Sequence, residues 1–155
     1  MNRHEALFHL HHNETLEKYT STFWARVDKF IIFMQLFLSS MVFADVSGTM
    51  AYGAALTILT LFSVVYSPST KANQANAQNM RYVRVRMNKD KMTDEQLNTE
   101  LESLAEFDSD VLGCFFNPAH WRSAIYLDLE VKNIEPLTKL EKIMAWLGGD
   151  LPPGK

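Results

Sequence analysis

Cysteine is nearly absent. Cys114 stands alone among 155 residues, so no intramolecular disulfide is available and the thiol says nothing about compartment. Its expected role is that of a small buried apolar residue. The signatures of catalysis are missing too. There is no Gly-rich phosphate loop, no G-x-S-x-G and no H-E-x-x-H. His120 stands isolated beside Trp121, and Asp108 and Asp110 lie beside a helix start without a pocket-forming partner. The run Asp108-Ser109-Asp110-Val111-Leu112-Gly113 begins like a calcium loop, but Leu112 holds the fifth position and Ala119 the twelfth, where a carboxylate belongs. No enzyme and no cofactor are therefore expected. A net charge of −3 is too small to call for a nucleic-acid partner. Periodic repeats and low-complexity tracts are also lacking.

The most informative absence is local. The mean hydropathy of −0.12 and a charged fraction of 21% suit a soluble chain. Yet Asp45 is the only charged residue between Lys29 and Lys71. A helix on the surface of a globular core carries a charged face within every two turns, and this stretch carries none. Two apolar runs fill it, near Phe30–Val46 and Gly48–Tyr66. As helices they span roughly 25 Å and 28 Å, short but sufficient for a bilayer core of about 30 Å when Arg26 and Lys29 snorkel at one end. A soluble helical hairpin is the competing reading. It would need a large shell of other helices around Phe30, Phe33, Phe37 and Phe43, and the remaining segments are short and amphipathic. A cleavable secretory signal is not expected despite Val42-Phe43-Ala44, because the preceding region is long and acidic and a second apolar run follows at once.

Asp45-Val46-Ser47-Gly48 is expected to turn the chain, with Gly48 free to take positive φ. The turn has no Lys or Arg. The flanks carry Arg26 and Lys29 on one side and Lys71, Arg81, Arg84 and Arg86 on the other. By the positive-inside rule both chain ends then lie in the cytoplasm and the protein sits in the inner membrane. Small and hydroxyl residues recur at helical spacing in the runs: Gln35 and Ser39 in the first, Thr49, Gly53, Thr57 and Thr60 in the second. Such stripes pack membrane helices or line a polar path, and a lone amide such as Gln35 needs a partner in hydrocarbon.

The rest of the chain reads as short helices, giving an all-α membrane protein: an amphipathic N-terminal helix in residues 1–29, a transmembrane hairpin in 30–67 and a cytoplasmic helical region in 68–155. Leu16, Tyr19, Phe23 and Val27 make one stripe of the first segment, which either lies on the membrane or runs straight into the span. His4, His9, His11 and His12 lack convergent partners, so no metal site is expected. Pro68 suits the first turn of a new helix or a kink. Thr93-Asp94-Glu95-Gln96 is a capping box. Asn117-Pro118 predicts a helix start that runs through Trp121, Ile125 and Leu129 until Glu135-Pro136. A last helix carries Leu137, Leu140, Ile143, Met144 and Leu147 and ends at Gly148-Gly149, before a loose tail at Leu151–Lys155.

This order of parts resembles the SLATT group of bacterial and phage membrane proteins. The resemblance rests on Tyr19 with Arg26 before the first run, and on Phe116-Asn117-Pro118, Trp121-Arg122 and Tyr126-Leu127 in the tail. It implies an effector of conflict systems that oligomerises and perturbs the membrane. The expected protein is thus a homo-oligomer in the lipid bilayer that alters permeability or excludes an incoming phage. The rival is a membrane-anchored adaptor, for which Trp121, Arg122, Tyr126 and Trp146 would mark the contact surface for a protein partner. A holin-like lysis protein is a third reading, disfavoured by the long structured tail.

Overall fold

The computed structural model describes residues 1–44, 48–129 and 134–152. Every regular element among them is a helix. The first 47 residues contain neither glycine nor proline, so nothing interrupts helix propagation. The result is α1, Arg3–Phe43, a single helix about 60 Å long. The N-terminal segment and the first apolar run are therefore one element. Asn2 and Glu5 close its start in a reciprocal capping box.

Residues 45–47, which hold most of the expected turn, lie outside the described residues. Gly48 has φ +99 and precedes α2, Thr49–Tyr66. Ser67 takes a left-handed conformation, and Pro68 opens α3, Pro68–Asn88, at its first position. Together α2 and α3 run antiparallel to α1 along its length. Gln35 meets Thr60, Trp24 meets Lys71 and Asn13 meets Tyr82. Each step of eleven residues along α1 is matched by eleven on the return, about three helical turns. The Ser67–Pro68 joint thus re-aims the backbone without slipping the register.

Shorter elements wrap the N-terminal half of this pair. Helix α4, Asp94–Ala105, starts in the Thr93–Gln96 capping box. A 3-10 turn at Gly113–Phe115 feeds directly into α5, Phe116–Tyr126. Asn117 therefore sits inside the first turn of α5 and is not its cap, a departure from the expected Asn117-Pro118 start. Helix α5 also ends early, because Asp128 is left-handed at φ 54. Helix α6, Lys139–Leu147, is capped by Thr138 and Glu141 and gives way to Gly148 and Gly149. Of the expected loose tail, residues 153–155 lie outside the described residues.

Two apolar clusters hold this head together. One gathers Ala6, Leu10, Tyr82, Val85, Leu97, Leu101 and Leu104 from α1, α3 and α4. The other gathers Leu16, Tyr19, Phe115 and Ala119, with Phe23 and Met144 against it. The far half of the pair is a bare arm. Helix α2 buries no residue, and on α1 beyond Phe30 only Ile31 and Leu38 are buried. Phe33 is 63% exposed, Leu36 68% and Val65 74%. Thr49–Lys91 is, among the described residues, the one helical stretch long and apolar enough to cross a membrane, and its apolar part is not buried. The apolar end of α1 is shorter, because Arg26, Asp28 and Lys29 immediately precede it.

Candidate functional site

The arm carries its polar atoms sparingly. The Gln35 side-chain amide donates to Thr60 Oγ1 at 3.2 Å and so ties α1 to α2. Thr60 in turn donates to Leu56 O at 2.9 Å, Thr57 to Gly53 O at 2.9 Å and Ser39 to Gln35 O at 2.7 Å. These hydroxyls return their protons to their own helices, which lets them face an apolar solvent. Thr57 and Thr60 are exposed, and a methyl built on Gly53 would meet nothing within 4 Å. Of the polar set expected in the arm, the structure brings together Gln35 and Thr60. Thr49 opens α2, and Gly53 borders open space.

A belt of cations and aromatic rings marks the foot of the arm. The Lys71 ammonium lies 4.7 Å from the Trp24 ring centre and 5.9 Å from that of Tyr66. Arg26 Nη1 donates to the carbonyls of Trp146 and Leu147 at 2.7 and 3.0 Å. That side chain satisfies the orphan carbonyls at the end of α6 and brings a cation to the negative end of its dipole. Its guanidinium also lies 6.0 Å from the Trp146 ring. Lys29 is exposed one turn further on. Arg81, Arg84 and Arg86 are placed differently. They follow Pro68 by 13 to 18 residues along α3, roughly 20–27 Å from the foot of the arm. The antiparallel return carries them to the N-terminal end of α1, where Arg86 pairs with Glu14 at 2.7 Å.

That pairing borders a polar cavity of about 290 Å³ between α1, α3, α5 and the segment after α6. Arg122 closes another side through its ion pair with Asp150, Nε to Oδ2 at 2.7 Å. His11 is buried against the Tyr126 ring, their centres 3.6 Å apart. Burial, followed by Arg86 and Lys89, pulls the His11 pKa down to about 4, so the imidazole is neutral at pH 7. Burial raises the Glu14 carboxyl, with Arg86 acting in the opposite direction. A second network pins the loop after α4. Tyr82 donates to Asp108 Oδ1 at 2.7 Å, and the Gln78 amide donates to Asp108 and to Leu104 O. The backbone N–H of Ser109 donates to buried Glu17 at 2.7 Å. Sequence reasoning passed over Glu17, Gln78 and Tyr82. The one local signal was Glu17 itself, a charge set seven residues after Leu10 on the helix face that packs inward.

Trp121 is buried, its indole donating to Glu135 O at 2.7 Å. Tyr126 and Trp146 are exposed, at 53% and 64%. His12 and His120 lie with ring centres 6.1 Å apart beside Phe8. Among the described residues no three His, Cys, Asp or Glu side chains converge as metal ligands. Cys114 is half-buried, and burial pushes its thiol upward. No protein-family model, curated protein or solved structure matches this chain.

Proposed function

We propose that this chain is a two-span inner-membrane protein with both ends in the cytoplasm, and that it assembles into homo-oligomers that change membrane permeability or exclude an incoming phage. The observation that carries the reading is the bare arm. Two antiparallel helices project from a packed head and turn their large apolar side chains outward, while burying only Ile31 and Leu38 of α1 against each other. Water is a poor solvent for such a surface, and monomeric soluble proteins rarely present apolar patches beyond a few hundred Å². The Gln35–Thr60 bond and the back-bonded hydroxyls of Ser39, Thr57 and Thr60 hold those side chains in hydrogen bonds, as hydrocarbon favours. Arg26, Lys29 and Lys71 at its foot support a cytoplasmic head. The resemblance to the SLATT group, on Tyr19, Arg26, Phe116-Asn117-Pro118, Trp121-Arg122 and Tyr126-Leu127, supports the effector role.

Open space beside Gly53 supports a second copy packing there. Liposomes that carry the purified protein and an entrapped dye test the permeability claim. Release that depends on protein density supports it, and full retention by intact, correctly inserted protein refutes it. The adaptor reading has one observation in its favour: Thr57, Thr60 and Ser39 spend their hydroxyl protons on their own helices, so one chain alone lines no continuous polar path. Under that reading the arm only anchors the head, and the protein leaves liposomes sealed.

A further inference from the structure

We propose that α6 is a membrane-surface helix, with Leu140, Ile143 and Trp146 immersed in the headgroup region of an anionic phospholipid bilayer. The proposal rests on the membrane reading above and adds a third point of lipid contact to it. Helix α6 is anchored on one side only. Ala145 is buried, and Met144 packs on the cluster of Leu16, Tyr19 and Phe115. The opposite face shows Leu140 at 63% exposure, Ile143 at 57% and Trp146 at 64%. These three recur at every third residue and form one apolar strip along the helix. All three stay more than half exposed, with the Arg26 guanidinium near the Trp146 ring.

Its position identifies the occupant. The end of α6 is fastened to Arg26 by two hydrogen bonds and by the guanidinium over Trp146. Arg26, Phe30, Phe33 and Phe37 follow one another at helical spacing and share one face of α1. Trp146 therefore sits at the foot of the outward aromatic stripe of the arm. Trp24, Tyr66 and Lys71 form the corresponding belt where α2 passes into α3. Tryptophan, tyrosine and basic residues at one level are the composition of a membrane–water boundary. The charges of α6 agree. Lys139 and Lys142 are exposed within and beside the strip, ready to extend toward lipid phosphates. Its acidic neighbours are committed elsewhere: Glu141 to Thr138 in the cap, and Asp150 to Arg122. Asp28 lies on the far side of α1 from Arg26, two positions on.

Consequently α6 would hold the head against the bilayer at a defined distance, and the Arg122–Asp150 pair just beyond Gly149 would transmit that hold to α5. Site-directed spin labelling tests the proposal on the full chain. In a Cys114→Ser background, Ile143→Cys, Leu140→Cys, Ile58→Cys in the arm and Glu102→Cys in the head are labelled singly. They are reconstituted in vesicles of phosphatidylcholine and phosphatidylglycerol. Accessibility to oxygen is compared with that to a water-soluble nickel chelate. The expected oxygen preference is highest at residue 58, intermediate at 140 and 143 and several-fold lower at 102. A label at 58 deep in lipid with 140 and 143 as aqueous as 102 overturns the α6 proposal and leaves the membrane reading standing. Aqueous values at all four positions remove the membrane reading and the α6 proposal with it. Dipolar broadening at 143 that vanishes on dilution with unlabelled protein identifies a second copy as the occupant and overturns the lipid assignment.

Discussion

Tyr82→Phe isolates the bond that locks the head. Tyr82 is fully buried, and its hydroxyl donates to Asp108 Oδ1 at 2.7 Å while accepting from the Asn13 amide at 3.3 Å. Burial, followed by the Asp108 hydrogen bond, raises the phenol pKa, so it stays a donor at every pH of interest. The ring remains in the variant, so no cavity term enters. A hydrogen bond to a charged group contributes about 1.5–3 kcal/mol. Asp108 keeps the Gln78 amide at 3.0 Å and is itself exposed, which places the expected loss near the lower end, about 1.5–2 kcal/mol. Denaturant unfolding of the detergent-solubilised protein, followed by tryptophan fluorescence, measures it. A cycle with Asp108→Asn should return a coupling of about 1 kcal/mol or more. Amide exchange in residues 106–112 should accelerate in the single variant. Unchanged stability together with zero coupling would refute the view that this network holds the loop to α1 and α3.

Acid should weaken the head. His11 and His12 sit at about 4 in the fold against 6.5 in the unfolded chain, each through burial first. Between these values the unfolded chain binds protons that the folded one refuses, so stability falls as pH drops from 6.5 toward 4 and then levels. The loss from His11 is on the order of 3 kcal/mol, offset in part by Glu14 and Glu17, whose raised carboxyls take protons earlier in the fold. Unfolding midpoints of His11→Gln should depend less steeply on pH than those of the parent, and an identical slope would contradict the assignment. Gly148→Ala places a methyl 3.0–3.1 Å from three atoms of buried Tyr19. Crowding of this kind costs about 1–3 kcal/mol, and loosened α6 should exchange its amides faster; unaltered exchange would show that α6 is not docked there. Gly53→Ile fills the open space on α2 and should lower the oligomeric mass in detergent, whereas an unchanged mass would place the interface elsewhere.

What was legible in advance follows from how local each signal is. The bare arm could be read because charge is missing over a contiguous stretch, whereas the first segment could equally lie on the membrane or run into the span, and only the structure joins the two in α1. The Thr93 capping box is likewise written in four neighbouring residues. Asn117-Pro118 misled because a 3-10 turn already supplies the first turn of α5, and Asp128 ends that helix through a left-handed conformation that no strong breaker announces. Register decided the rest. Arg81, Arg84 and Arg86 follow the apolar arm in sequence, but an antiparallel return carries them to its far end, where Arg86 meets Glu14. The Glu17, Tyr82 and Asp108 network joins three segments whose pairing only tertiary packing creates.

The central claim is that hydrocarbon surrounds the arm in its working state. Fractionation of cells that produce the untagged protein tests it most directly: ultracentrifugation, an alkaline carbonate wash, then detergent extraction. The chain should stay in the pellet through the wash and be released by detergent alone. Recovery in the first supernatant as a folded, monodisperse species would contradict the account.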